Sequence, residues 1–317
     1  MPSTNKTLEI LKQRSQRTGV LVPLLEDFMT KPVNIKSEKD VQFLTDLLKT
    51  MAERERRRDE RRMYSPSSLA QCLRKVYLLR HHEQLEIKYL RPLRREPNFY
   101  FLNGNFLHLK WQFAMWKMER HINDPGVFEI HGFEVPVESK RGDHGGTADV
   151  IVSIHREPFI VDLKGINVRS FGEITRGFVP GGYEIQLADY MILWNSQRPK
   201  LPPYRIEKAI LLTENKGGPD AKHPLALHET EIRLEDIKPV VTERMEVLRS
   251  LEHEGIVPPI ECTSTGTFQF AGCPFQKYCK KEVQKFARER KALASSTTAE
   301  VEISTPTPRR KGRVASN

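Results

Sequence analysis

Apolar residues recur at helical spacing over the first third of the chain, at alternating or continuous spacing through the middle, and at helical spacing again toward the end. The first 62 residues read as helical and charged. Ser37 is a candidate N-cap with Asp40 three positions on, and Val41, Leu44, Leu47, Leu48 and Met51 follow at helical spacing, so one face of this helix should be buried. Its continuation, Glu53 to Arg62, holds six Arg and four acids and reads as a solvated helix end. Ser65-Pro66-Ser67 then marks a helix start, with Leu69, Cys72, Leu73, Val76 and Leu79 on one stripe. A further helical pattern runs from about Asn103 to Arg120, with Phe106, Leu109, Phe113 and Trp116 on one side.

From Phe128 the period shortens. Strands are predicted at Phe128 to Val137, Thr147 to Ile154 and Pro158 to Leu163, the last a short apolar run of the kind found in buried central strands. A helix over Glu184 to Trp194, strands at Ile206 to Thr213 and Glu229 to Leu234, and a helix over Leu234 to Glu252 complete the pattern. Leading helices, a mixed sheet and closing helices predict an α/β domain. The expected divisions are a helical N-terminal region (1–62), a core (63–291) that ends in a cysteine-bearing segment, and a Ser-, Thr-, Ala- and Pro-rich disordered tail (292–317). The tail carries a basic cluster, Arg309, Arg310, Lys311 and Arg313.

Composition narrows the classes this chain can belong to. With 317 residues and 38% hydrophobic positions there is enough apolar surface for a real core, which excludes collagen-like and wholly disordered chains. No apolar run is long enough to span a bilayer, and the first residues do not resemble a secretory signal, so a cytoplasmic location is expected. An excess of 51 Lys and Arg over 41 Asp and Glu favours polyanionic partners. Bases interleave with aromatics between Arg74 and Phe101, where Arg74, Lys75 and Arg80 are candidate nucleic-acid contacts, and gather again over Lys277 to Lys291. Four cysteines are too few for a disulfide scaffold, and without an export signal the compartment is expected to be reducing, where thiols persist and bind metals.

The chemistry concentrates in Gly146-Thr-Ala-Asp149 and, thirteen residues after Asp149, in Asp162-Leu163-Lys164. Two carboxylates fall at corresponding points of adjacent strands, and Asp162 and Lys164, two apart, leave the same face of the sheet. Mg²⁺ takes one or two carboxylates together with water and phosphate oxygens, and an ammonium beside it can position a water. Charges that end an apolar central strand need partners or a function. Gly104 to His108 places a histidine on a helix, and Gln186 and Tyr190 fall at i and i+4 on the helix that follows the active strand.

These elements, taken in order, resemble the PD-(D/E)XK nucleases of the RecB-like type. Most similar is the iron–sulfur branch that includes CRISPR-associated adaptation nucleases, AddB-type nuclease domains and phage and viral exonucleases. The resemblance runs from about Tyr64 to Cys279. It implies a restriction-endonuclease-like fold and a divalent-cation-dependent exonuclease acting on single-stranded DNA or DNA ends in recombination, repair or adaptation. By position, it implies that His108, Asp149, Asp162 and the backbone carbonyl of Leu163 hold Mg²⁺ or Mn²⁺. Lys164 would orient the attacking water, while Gln186 and Tyr190 would hold the active strand and the DNA beside it. Ala148 stands where the family's proline would, and the second acid is Asp rather than Glu.

Cys273 and Cys279 enclose five residues, Cys262 lies eleven positions before Cys273, and Cys72 lies far upstream. The resemblance implies that the four hold a 4Fe-4S cluster, and zinc accepts the same four thiolates. Either centre would close a loop of about 200 residues, for which loop entropy suggests roughly 5 kcal/mol of stabilisation. Two other readings keep the same fold: a non-catalytic nucleic-acid-binding module, and an endonuclease or junction resolvase.

Overall fold

The computed structural model describes residues 19–30, 32–60, 64–87, 95–197, 205–262, 273–284 and 288. The tail at 292–317 and parts of the two basic stretches lie outside these residues, as do the side chains of Phe99, Tyr100 and Phe101. Five strands form one sheet in the order β1-β2-β3-β4-β5: β1 (Phe128–Glu138), β2 (Gly145–Ile154), β3 (Glu157–Ile166), β4 (Lys208–Asn215) and β5 (Leu227–Arg233). All neighbours run antiparallel except β3 and β4, which are parallel. A parallel pair needs a long return path, supplied here by α6 (Val168–Ile174) and α7 (Gly181–Gln197). The chain is thus an α/β fold with a mixed central sheet flanked by helices, as the periodicity predicts. Among the described residues no helix is long and apolar enough to cross a membrane.

Helices cover both faces. On one lie α1 (Leu21–Met29) and the long α5 (Arg95–Ile122), whose Leu25, Trp111, Met115 and Met118 pack with Val150, Val161 and Leu212 of the sheet. On the other lie α7, α8 (Leu234–His253) and the short α3 (Pro66–Leu69) and α4 (Leu73–His81), packed with Ile151, Ile160 and Leu211. The strand that predicts as central, β3, is sandwiched between the two cores, with Phe159, Val161 and Leu163 toward α5 and Ile160 toward α7.

The N-terminal helix α2 (Glu38–Glu60) starts where its capping signal predicts: Asp40 N–H donates to Ser37 Oγ, and Ser37 N–H donates to Asp40 Oδ2. Its buried face differs from the expected one. Leu47 and Met51 are buried, but Val41 and Leu48 are exposed, and Asp40 takes an inward position through an ion pair to Lys117 of α5. Phe43 stacks on Trp116, with ring centroids 4.5 Å apart, so this region packs on the core rather than standing beside it. The stripe predicted from Leu69 to Leu79 is also broken. The chain turns at Ala70–Gln71, α4 begins after Cys72, and Leu79 is exposed. Likewise Phe106 of α5 faces solvent, because the buried stripe runs through Leu107, Trp111, Ala114 and Met118.

A candidate catalytic centre and a four-thiol pocket

The β2–β3 hairpin turns through His155 and Arg156, both at positive φ (51° and 66°), the backbone of a two-residue turn whose twist matches the strands. The pairing runs from Ile154↔Glu157 to Val150↔Val161, and one step further stand Asp149 and Asp162. The tight turn therefore sets the register that brings the two carboxylates level. Asp149 Oδ2 accepts the Leu163 N–H at 2.8 Å, which satisfies the backbone where the ladder ends. Lys164 Nζ lies 2.7 Å from Asp162 Oδ2, and Gln186 Nε2 of α7 donates to Asp162 Oδ1 at 3.0 Å. From the opposite layer, α5 brings His108 Nδ1 to 3.6 Å from Asp149 Oδ1. His108, Asp149, Asp162, Lys164 and Gln186 are thus assembled from four elements.

Tyr190, one turn beyond Gln186, is buried near Asp149 and Asp162, and burial pushes its phenol well above the usual range. A side chain at Gly146 would meet Pro66 Cδ at 2.9 Å and Tyr190 Cε1 at 3.1 Å, so glycine there lets β2 pass close to α3 and α7. Asp189, between the two motif residues, makes a buried pair with His144 of the β1–β2 turn (Nε2 to Oδ2, 2.6 Å) that ties α7 to the strand end.

One functional candidate escapes the sequence reading. Glu134 of β1 lies level with Asp149, since the register passes from Phe133↔Val150 to Val135↔Ala148. It is fully buried, sits at φ +49°, and is 3.6 Å from His108 Nδ1. Arg54 of α2 holds its Oε2 at 2.6 Å and Gln112 of α5 donates to its Oε1 at 2.9 Å. A non-glycine residue in the left-handed region costs energy and recurs at functional sites. The available signal was an acid between Phe133 and Val135 in a strand pattern. Nothing marked Arg54, which belongs to the run read as solvated yet reaches the centre.

Of Asp149, Lys164 and His108, burial sets the direction for Asp149 alone. It pushes Asp149 up to about 6; His108 and Lys164 oppose this while Asp162 and Glu134 reinforce it. Burial disfavours charge on Lys164, but Asp162 and Asp149 more than offset it and its pKa lies above the usual value. His108 is likewise raised, burial being outweighed by Asp149 and Glu134.

Among the described residues, His108, Glu134 and Asp149 present three ligand atoms within 4.8 Å of one another. Glu134 stands here where Asp162 was expected; Asp162 Oδ2 lies 2.7 Å from Lys164 Nζ and its Oδ1 accepts from Gln186. The donor set suits a hard divalent cation. His108 Nδ1, buried with no hydrogen bond, is the kind of orphan such an ion would satisfy. Leu163, whose carbonyl was expected as a further ligand, contributes its N–H to Asp149 as described.

The second locus lies at the end of the α4/α8 layer. Cys72, Cys262, Cys273 and Cys279 are free thiols that line one pocket with Ile260, Phe275, Leu78, Arg74 and Lys75. Cys72 caps α4, Cys262 follows α8, and Cys273 and Cys279 flank and enter a helix over 276–284. The donor set is the one a zinc or iron–sulfur centre uses, and the wide spacing before Cys273 does not keep Cys262 out of the pocket, although no three of the sulfurs stand within 4.8 Å of one another. Burial pushes the Cys279 thiol up to about 11, partly opposed by Arg74.

Of the basic residues expected to meet DNA, two make ion pairs within the protein. Arg74 is buried and 2.7 Å from Glu282, and Arg80 pairs with Glu252 at 3.1 Å while lying 4.5 Å over the Tyr64 ring. Lys75 is half-buried at the pocket.

No protein-family model matches the chain, and no curated protein does. Among solved structures, SSO0001 is similar at 15% identity, with 86% of this chain and 96% of that chain covered and a TM-score of 0.40.

Proposed function

We propose that the chain is a divalent-cation-dependent deoxyribonuclease that hydrolyses phosphodiester bonds at ends or in single strands. The observation that carries this reading is the juxtaposition of Asp149, Asp162 and Lys164 at the end of one hairpin, with His108 from one helix layer and Gln186 from the other. A mixed sheet flanked by helices, with carboxylates level on the adjacent strands β2 and β3, is also what the resemblance to PD-(D/E)XK nucleases implies.

His108 and Asp149, with Glu134 or Asp162, would hold Mg²⁺ or Mn²⁺, which would polarise the scissile phosphate and acidify a bound water. Lys164 acts as a cation and not as a base, since its neighbours keep it protonated. Its Nζ orients the attacking water and offsets charge that develops on the phosphate. Gln186 holds Asp162 in one rotamer, so that Lys164 keeps a fixed origin. Arg54 and Gln112 hold Glu134 against the repulsion of Asp149. The four free thiols fit a protein kept in a reducing, cytoplasmic compartment.

Purified protein with Mn²⁺ should digest end-labelled single-stranded DNA. Lys164→Ala should lower the rate by about 10² or more, the scale of losing one electrostatic stabiliser, while salt-sensitive binding persists. A wild-type rate in that variant overturns the reading. Absence of divalent-dependent cleavage with binding retained would favour a non-catalytic module, and cutting of a circular single strand would make it an endonuclease.

A further inference from the structure

The thiol pocket contains a charge that the cysteine motif does not explain. Arg74 is buried beside the four cysteines, two residues after Cys72 in the first turn of α4. One nitrogen, Nη1, binds Glu282 at 2.7 Å, and the guanidinium lies 5.4 Å from the Tyr278 ring. Its buried Nε has no hydrogen bond. Lys75 lines the same pocket and, among the described residues, no carboxylate does, although Glu261 stands next to Cys262 and Glu282 holds the outer side of Arg74.

Four thiolates around Zn²⁺ or a 4Fe-4S core leave a net negative centre, which is costly to bury without compensation. A guanidinium at the pocket wall offsets that charge, and an N–H that finds no oxygen can donate to sulfur. We propose that Arg74 is the counter-charge of the four-thiol centre, its Nε–H directed to a sulfur of the bound metal group, and that it is not a DNA contact. This rests on reading the four cysteines as one metal centre. Arg74 acts through the centre, so it is a positioning residue. The link to Glu282 also carries it across to the 276–284 helix that holds Cys279.

The test begins with metal and sulfide analysis of anaerobically purified wild-type protein, followed by the rate at which a chelator for the metal found extracts it. Arg74→Gln should release metal about tenfold faster or more, the usual scale for an outer-shell partner. Arg74→Lys, which keeps the charge but loses Nε, should fall between the two. Glu282→Gln, which cuts the tie to the 276–284 helix but leaves the charge at the pocket, should stay near wild type. If the metal is iron, the midpoint potential of Arg74→Gln should fall, because removing a nearby positive charge disfavours the reduced cluster. Wild-type release from Arg74→Gln overturns the proposal, as does equal loss from Glu282→Gln, which would make the role a tether. Wild-type protein that holds no metal even after reconstitution overturns it together with the reading of the cysteines, whereas metal that all variants keep equally overturns the Arg74 role alone.

Discussion

The carboxylate centre and the thiol pocket are built by opposite strategies. At the first, Asp149 and Asp162 are thirteen residues apart, and a two-residue turn sets their alignment through the pairing from Ile154↔Glu157 to Val150↔Val161. At the second, Cys72 meets Cys262, Cys273 and Cys279 from the far side of the sheet-forming sequence, and no ladder connects them. Their supports are side chains. Glu261 accepts the Leu73 N–H at 2.9 Å, and Arg244 of α8 donates to the Leu69 and Gln71 carbonyls and to Glu261. A short loop pinned by strands costs little to close, whereas closing a long one is repaid only when a ligand or dense packing bridges it. The carboxylate centre should therefore be formed without its ion, and the thiol pocket should depend on what it binds.

The largest expected effect contrasts the two directly. Lys164→Ala should remove cleavage yet keep the far-ultraviolet spectrum and a cooperative melt. Cys279→Ser should cost about 2–5 kcal/mol, by analogy with losing a cross-link that closes a long loop. Chemical denaturation of both, with metal content measured, decides the matter. A Cys279→Ser protein as stable as wild type would mean that packing of Phe275 and Val283, both buried, already joins the ends.

A smaller effect tests whether the carboxylate centre is as local as the hairpin suggests. Arg54→Ala removes one partner of the buried Glu134, and should cost roughly 1–3 kcal/mol, the scale of leaving a buried polar group without its partner. Replacing Glu134 by Gln as well should recover part of that loss, since a neutral amide needs no counter-charge. Urea midpoints of the two single variants and the double variant give the coupling. No coupling would detach the N-terminal helix from the centre.

The smallest effect is a pH dependence unrelated to either locus. Burial, and then His223, push His228 of β5 down to about 4. The folded state thus keeps this ring neutral, while the unfolded chain takes up a proton below about 6.5. Between those values the unfolded state binds more protons, so stability rises with pH and is lost as pH falls from about 6.5 toward 4. The slope is at most ~1.4 kcal/mol per pH unit, reduced by partial exposure of the ring. His228→Gln should flatten the pH 5 to 7 difference in melting temperature, and an unchanged difference would place the acid sensitivity elsewhere.

Much of this architecture was legible beforehand, for identifiable reasons. Alternation and short apolar runs are properties of single strands, so β1, β2, β3, β4 and β5 were all visible, and the Asp162-Leu163-Lys164 spacing already placed acid and ammonium on one face. The short α6 was not, since seven residues carry too little periodicity. Helix faces were the weaker part. Val41, Leu48, Leu79 and Phe106 are exposed because the neighbouring helix or strand decides which side of an amphipathic surface is covered, and an ion pair such as Asp40–Lys117 can displace an apolar residue from the interior.

The sequence by itself determined the element types, the hairpin that aligns Asp149 with Asp162, and the set of thiols available for a metal, because each depends on local backbone preference or on simple presence. Only the tertiary structure decided that Glu134 joins His108 and Asp149, that Arg54 of a charged N-terminal helix holds it, and that Arg74 turns to the cysteines and Glu282. Those outcomes depend on distances between residues far apart in the chain, and a charged side chain takes its role from whichever opposite charge the fold buries beside it.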